Sequence, residues 1–250
     1  MIINDTTPTN KSALLMIGIK QLGVATLYVL LSSIILNYFT NRGIVSAVWP
    51  GSGLALAVLL VGGKRYLLGV ILGRLLINAL SSSSPFWLVG ATLASVSEVL
   101  LGVWLLTRND KFSLSFTTVS DYLRLILLGG GVASIIGAII GLLTLILSGF
   151  ITTDYINNLM RWWMGDVLGV VLVTPLILTW WQTKLKKLTN KQRIETFLLT
   201  GITFIAGQII FLDWFNDSII IRPEAFILFL PIIWVAIKLD IRATTFVLNM

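Results

Sequence analysis

The chain has no cysteine and no histidine, and only 12% of its 250 residues are charged. Without thiol or imidazole it cannot form disulfides, zinc sites of the usual Cys/His kind, a His-ligated haem, Cys-His or Ser-His catalytic pairs, or a histidine proton relay. The shortage of charge excludes more. A globular protein carries about 25% charged residues, and half that supply is too little for the surface of a soluble domain this long. What is present instead is 56% hydrophobic residues and a mean hydropathy of +0.94. The chain therefore reads as an integral membrane protein with an all-α fold, a polytopic transmembrane helix bundle.

Basic residues outnumber acidic ones, 18 to 11, for a net charge of +7. Their placement argues against nucleic acid. The one dense basic cluster, Lys184, Lys186, Lys187, Lys191 and Arg193, separates two apolar stretches. A cytoplasmic loop facing anionic headgroups accounts for it.

A crossing needs ~20 apolar residues. Eight stretches qualify or nearly so: 21–39, 44–62, 66–80, 86–107, 122–150, 161–181, 196–215 and 225–239. The first is a retained anchor, because no small-residue cleavage site follows it. Residues 1–20 then form a cytoplasmic tail, and 21–250 a single integral membrane domain. The second stretch is interrupted near its start by Trp49-Pro50-Gly51-Ser52-Gly53. The fifth contains Gly129, Gly130 and Gly131, and suits one steep helix or a helix broken at the glycines equally well. After residue 239 a ninth apolar run begins and stops at Met250, which suggests that the natural domain continues. With the N-terminus inside, the inner segments hold fourteen of the eighteen basic residues; the outer loops hold Arg42, Arg161 and Arg222, and Arg74 lies within a span. That asymmetry predicts a multi-pass membrane protein with its N-terminus in the cytoplasm. No secure internal repeat of the kind many transporters show is visible.

Three ionisable residues fall inside spans, where each costs roughly 2.5–3.5 kcal/mol on insertion scales. At 1.5 Å per residue, Arg74 lies ~14 Å beyond the inner-loop Arg65, and Glu98 lies ~15 Å from Arg108. They share a level near the midplane, and the preferred reading is a buried ion pair; the functional alternative is the polar floor of a ligand cavity. Asp166, counted from Arg161, lies only ~8 Å inside the outer boundary, and Asn78 lies ~10 Å inside it in a ~30 Å core. With Trp49 entering from that side and Trp163 three residues from Asp166, an outer layer of Trp49, Asn78, Trp163 and Asp166 is expected to bind a ligand. The plain readings are an aromatic belt for the tryptophans and dipole complementation for Asp166. Spacings of Gly-x-x-x-Gly at Gly69/Gly73, Gly137/Gly141 and Gly165/Gly169 suggest tight helix packing more than dimerisation. Pro50, Pro175 and Pro231 permit kinks without marking a site. Glu98 and Asp166 fall in different layers on this arithmetic, which argues against an intramembrane carboxyl dyad.

With these residues in view, the chain resembles the first class of membrane-associated sensor domain, the MASE family of bacterial signalling proteins. The Trp49–Gly53 segment resembles that family's aromatic-proline opening of the second span. Asn78 and Glu98 fall at its embedded Asn and helix-borne Glu, and Asp121-Tyr122-Leu123-Arg124 resembles the entry to its glycine-rich span. The most specific match is Trp162-Trp163-Met164-Gly165-Asp166-Val167-Leu168-Gly169, running on to Thr174-Pro175-Leu176; Pro231 to Lys238 resembles the segment before its last helices. Arg74 departs from the pattern, where a small or apolar residue is expected.

The resemblance implies an N-terminal input domain of a histidine kinase or GGDEF-type diguanylate cyclase, hence two-component or cyclic di-GMP signalling. The expected role is to bind a small ligand, lipid or membrane partner and regulate a cytoplasmic output module. No catalytic residue, metal or cofactor is expected in this chain, and a homodimer through the missing output region is compatible with it. The competing reading is a membrane transporter or substrate-capture subunit, because broken spans and midplane charges also suit transport.

Overall fold

The computed structural model describes residues 11–38, 48–81, 84–108, 112–116, 118–182, 189–211 and 245–246. Among them every regular element is helical: α1 (Lys11–Tyr38), α2 (Pro50–Gly62), a 3-10 turn (Lys64–Tyr66), α3 (Leu67–Ser81), α4 (Pro85–Thr107), α5 (Val119–Arg124), a π-helical segment (Leu125–Val132), α6 (Ala133–Leu147), α7 (Tyr155–Gln182) and α8 (Asn190–Phe211). Four stretches are long and apolar enough to cross a membrane: Leu15–Asn37, Pro85–Thr107, Val119–Leu147 and Tyr155–Trp181. The expected crossing at 225–239, the ninth run apart from residues 245–246, and the basic residues Lys184, Lys186 and Lys187 lie outside the described residues, as do Arg42, Arg222 and Pro231.

Helix α3 shows why this bundle belongs in lipid. Its buried face carries Gly69, Val70, Gly73, Arg74, Ile77 and Asn78, while Leu68, Leu72, Leu76 and Leu80 are exposed at four-residue spacing. A water-soluble helix places its charges the other way round. The small residues of the buried face let α1 come close. A Cβ on Gly69 would meet the Gln21 carbonyl oxygen at 2.7 Å, and one on Gly73 would meet the Tyr28 Cβ at 2.7 Å. The Gln21 amide locks this contact by donating to the Arg65 carbonyl and accepting from the Gly69 N–H.

The other two glycine pairs also serve packing within the chain. A Cβ on Gly137 would lie 3.1 Å from that of Glu98, and one on Gly141 would strike the Trp162 ring at 2.5 Å. Gly169 packs against the Trp49 carbonyl, which a Cβ would overlap, and the Gly165 carbonyl accepts the Trp49 N–H at 2.8 Å. Trp162 in turn meets Trp87 edge-on at 6.0 Å between centroids.

The glycine-rich fifth stretch is continuous helix from Val119 to Leu147, not a broken one. The three glycines fall in its π-helical segment, where Gly129 and Gly130 are buried. Wider turns displace backbone carbonyls from their helical donors, and here Gly131 O accepts the indole N–H of Trp163 at 2.9 Å. A parallel substitution occurs at Pro175 inside α7. Proline has no N–H to give the carbonyl four residues back, and that carbonyl, Val171 O, is met by the Tyr122 hydroxyl at 3.3 Å.

Candidate functional site

Helix α2 begins inside the bundle. Its N-cap is Trp49, whose ring lies 4.7 Å from the Arg74 guanidinium. Its thirteen residues rise only ~20 Å, so it ends short of a full crossing. Pro50 at the first helical position needs no hydrogen-bond partner for nitrogen. Gly53 lets the first turn lie directly on α7, since a Cβ there would overlap the Gly169 carbonyl. Thr174 closes the seam by donating to Gly53 O at 3.0 Å.

This close approach sets Ser52 between two acids. Its hydroxyl lies 2.7 Å from Asp166 Oδ1 on α7 and 3.2 Å from Glu98 Oε2 on α4. Ser134 on α6 donates to the other Glu98 oxygen, Oε1, at 2.6 Å. All four side chains are buried. Arg74, 4% exposed, completes the cluster from α3. Its direct partners are the Trp49 ring and the Ala91 carbonyl, which Nε reaches at 3.3 Å. Its charge acts through space on both Glu98 and Asp166. A stacked, desolvated arginine gains about 2 kcal/mol from such a ring, which offsets part of the cost of burying the charge.

The expected division into a midplane pair and an outer layer does not hold. Arg161 does not mark the outer end of α7: the helix starts at Tyr155, so Asp166 lies ~16 Å along it. That brings Asp166 level with Glu98, and the two carboxyls share one layer, bridged by Ser52, instead of lying in different layers. Trp49 likewise sits at the level of Arg74. Asn78, one turn beyond Arg74, donates to Thr92 Oγ1 at 3.1 Å and so ties α3 to α4. Trp163 is three residues from Asp166, yet its N–H is committed to the π-helical segment. The structure therefore unites Trp49, Arg74, Glu98 and Asp166, with Asn78 and Trp163 at the margins.

Ser52 and Ser134 are the members that sequence reasoning missed as functional groups. Single serines are common in membrane helices and carry no signal alone; only the placement of Ser52 in the Trp-Pro-Gly-Ser-Gly break hinted at a role. No group of three or more metal-ligating side chains that could hold an ion occurs among the described residues.

A family model described as MASE1 matches residues 21–250. No curated protein and no solved structure matches the chain.

Proposed function

The chain belongs to the MASE1 family of membrane-associated sensor domains, and on that footing we propose that it is the sensory input domain of a bacterial signal-transduction protein. In this reading it crosses the inner membrane about eight times with its N-terminus in the cytoplasm. It binds a small ligand, a lipid or a membrane partner near Trp49, Asn78, Trp163 and Asp166, and regulates a cytoplasmic output module, a kinase or a diguanylate cyclase. The chain itself supplies no catalysis.

The observation that carries the reading is the convergence of α2, α3, α4, α6 and α7 on one buried polar cluster. The ring N–H groups of Trp49 and Trp163 and the Asn78 amide are already committed to Tyr28, Gly131 and Thr92. A ligand entering there has to exchange for those bonds and thereby favours a different helix arrangement. Differential affinity of that kind is what moves a two-state equilibrium, tenfold for each 1.4 kcal/mol.

The test is the stimulus response of the full-length protein in Trp163→Ala and Asp166→Asn variants. Loss of response at unchanged membrane abundance supports the reading, and an unchanged response in both contradicts the proposed site. Substrate flux in proteoliposomes would favour a transporter instead.

A further inference from the structure

The bridge between Glu98 and Asp166 is short of a proton. Ser52 has one hydroxyl hydrogen, yet its Oγ is within hydrogen-bond distance of both Asp166 Oδ1 and Glu98 Oε2, at 2.7 and 3.2 Å. With both carboxyls ionised only one could receive that hydrogen, and the other would face a serine lone pair. Ser134 gives no relief, because it engages the opposite oxygen of Glu98. The charges do not balance either. Tyr28 of α1, Ser52 of α2 and Ser134 of α6 face the cluster uncharged, and α7 offers Asp166. Arg161, on the same helix, is exposed. Arg74 of α3 is thus the one cation facing two acids among the described residues. A net negative charge held among apolar helices is costly.

We propose that Glu98, Ser52 and Asp166 form a binding site for a single proton, carried on Glu98 Oε2. Glu98 donates it to Ser52 Oγ, and Ser52 donates its own hydrogen to Asp166, in a chain running from α4 through α2 to α7. Asp166 keeps the negative charge that answers Arg74, and the cluster as a whole is neutral. Each oxygen of the bridge then has a donor facing an acceptor. Release of the proton leaves two carboxylates competing for one serine hydrogen, and the link between α4 and the α2–α7 pair is lost. Proton occupancy is in this way tied to helix separation. The site does not depend on the identity of a ligand: the infrared spectrum of the carboxyls tests the proton alone, whatever the domain senses.

The experiment is infrared spectroscopy of the full chain in lipid nanodiscs at neutral pH. The wild type is expected to show a protonated-carboxyl C=O band that shifts on deuterium exchange, and Glu98→Gln is expected to lose it. Asp166→Asn is expected to lose it as well, because Glu98 then becomes the sole counter-ion of Arg74 and ionises. A purely structural hydrogen bond would not produce that second loss. Absence of the band in the wild type, or its survival in either folded variant, overturns the proposal. If a variant fails to fold, alkaline titration of the wild type decides. Reversible loss of one carboxyl's band supports the site, and a wild type without such a band refutes it.

Discussion

Each buried charge in this bundle is matched by a partner that apolar helices rarely supply, and the partners predict how the residues respond to substitution. Ser52 makes two contacts to carboxyl oxygens, and hydrogen bonds to charged groups contribute about 1.5–3 kcal/mol each. Ser52→Ala is therefore expected to destabilise the folded chain by about 2–3 kcal/mol, measured by unfolding in mixed micelles. The identity of Arg74's counter-ion is separable by a double-mutant cycle. A direct Arg74–Glu98 pair, the plain expectation from sequence, predicts that Glu98→Gln restores what Arg74→Met loses. The neutral-Glu98 arrangement predicts that Asp166→Asn restores it and Glu98→Gln does not. Three buried charges were legible from composition, since few charges exist to choose from. That Asp166 joins the other two in one cluster was not, because the offset between a helix's true start and its first charged residue is invisible in a sequence: α7 runs six residues above Arg161.

The elements were more legible than their joints. Apolar runs predicted α3, α4 and α7 to within a few residues at most ends, because a lipid-facing helix announces itself by length and composition. The first helix starts at Lys11, inside the stretch expected to be a tail, because helical hydrogen bonding does not stop where hydropathy does. The nature of the glycine triplet was out of reach, since a π-helical segment and a break have the same composition. What holds it is a contact from another helix, the Trp163 bond to Gly131. The seam between α2 and α7 gives the sharpest prediction at this scale. Gly169→Ala forces a methyl into the Trp49 carbonyl and is expected to cost about 1–3 kcal/mol. Gly23→Ala on α1, where nothing lies within 4 Å of the added carbon, is expected to be neutral or to stabilise by up to about 1 kcal/mol. Thermal unfolding of the two variants side by side checks both.

At the scale of the whole molecule, the absence of cysteine becomes a practical asset, because an introduced thiol is unique within these 250 residues. Lys64→Cys, in the turn after α2, and Thr153→Cys, in the turn before α7, are placed at opposite ends of the bundle by the up-and-down succession of helices. Labelling of intact cells with a membrane-impermeant reagent is expected to mark Thr153→Cys and leave Lys64→Cys untouched; the reverse pattern would invert the proposed topology. Family membership makes this a sensor domain. The cluster around Ser52 is proposed as the centre that sets its state. The most direct test is the basal output of the full-length protein, at equal membrane abundance, in Asp166→Asn against the lipid-facing control Leu76→Ala. Asp166→Asn is expected to change the output about tenfold, the effect of ~1.4 kcal/mol on a two-state balance, and Leu76→Ala to leave it unchanged. Equal output in wild type and both variants would contradict it.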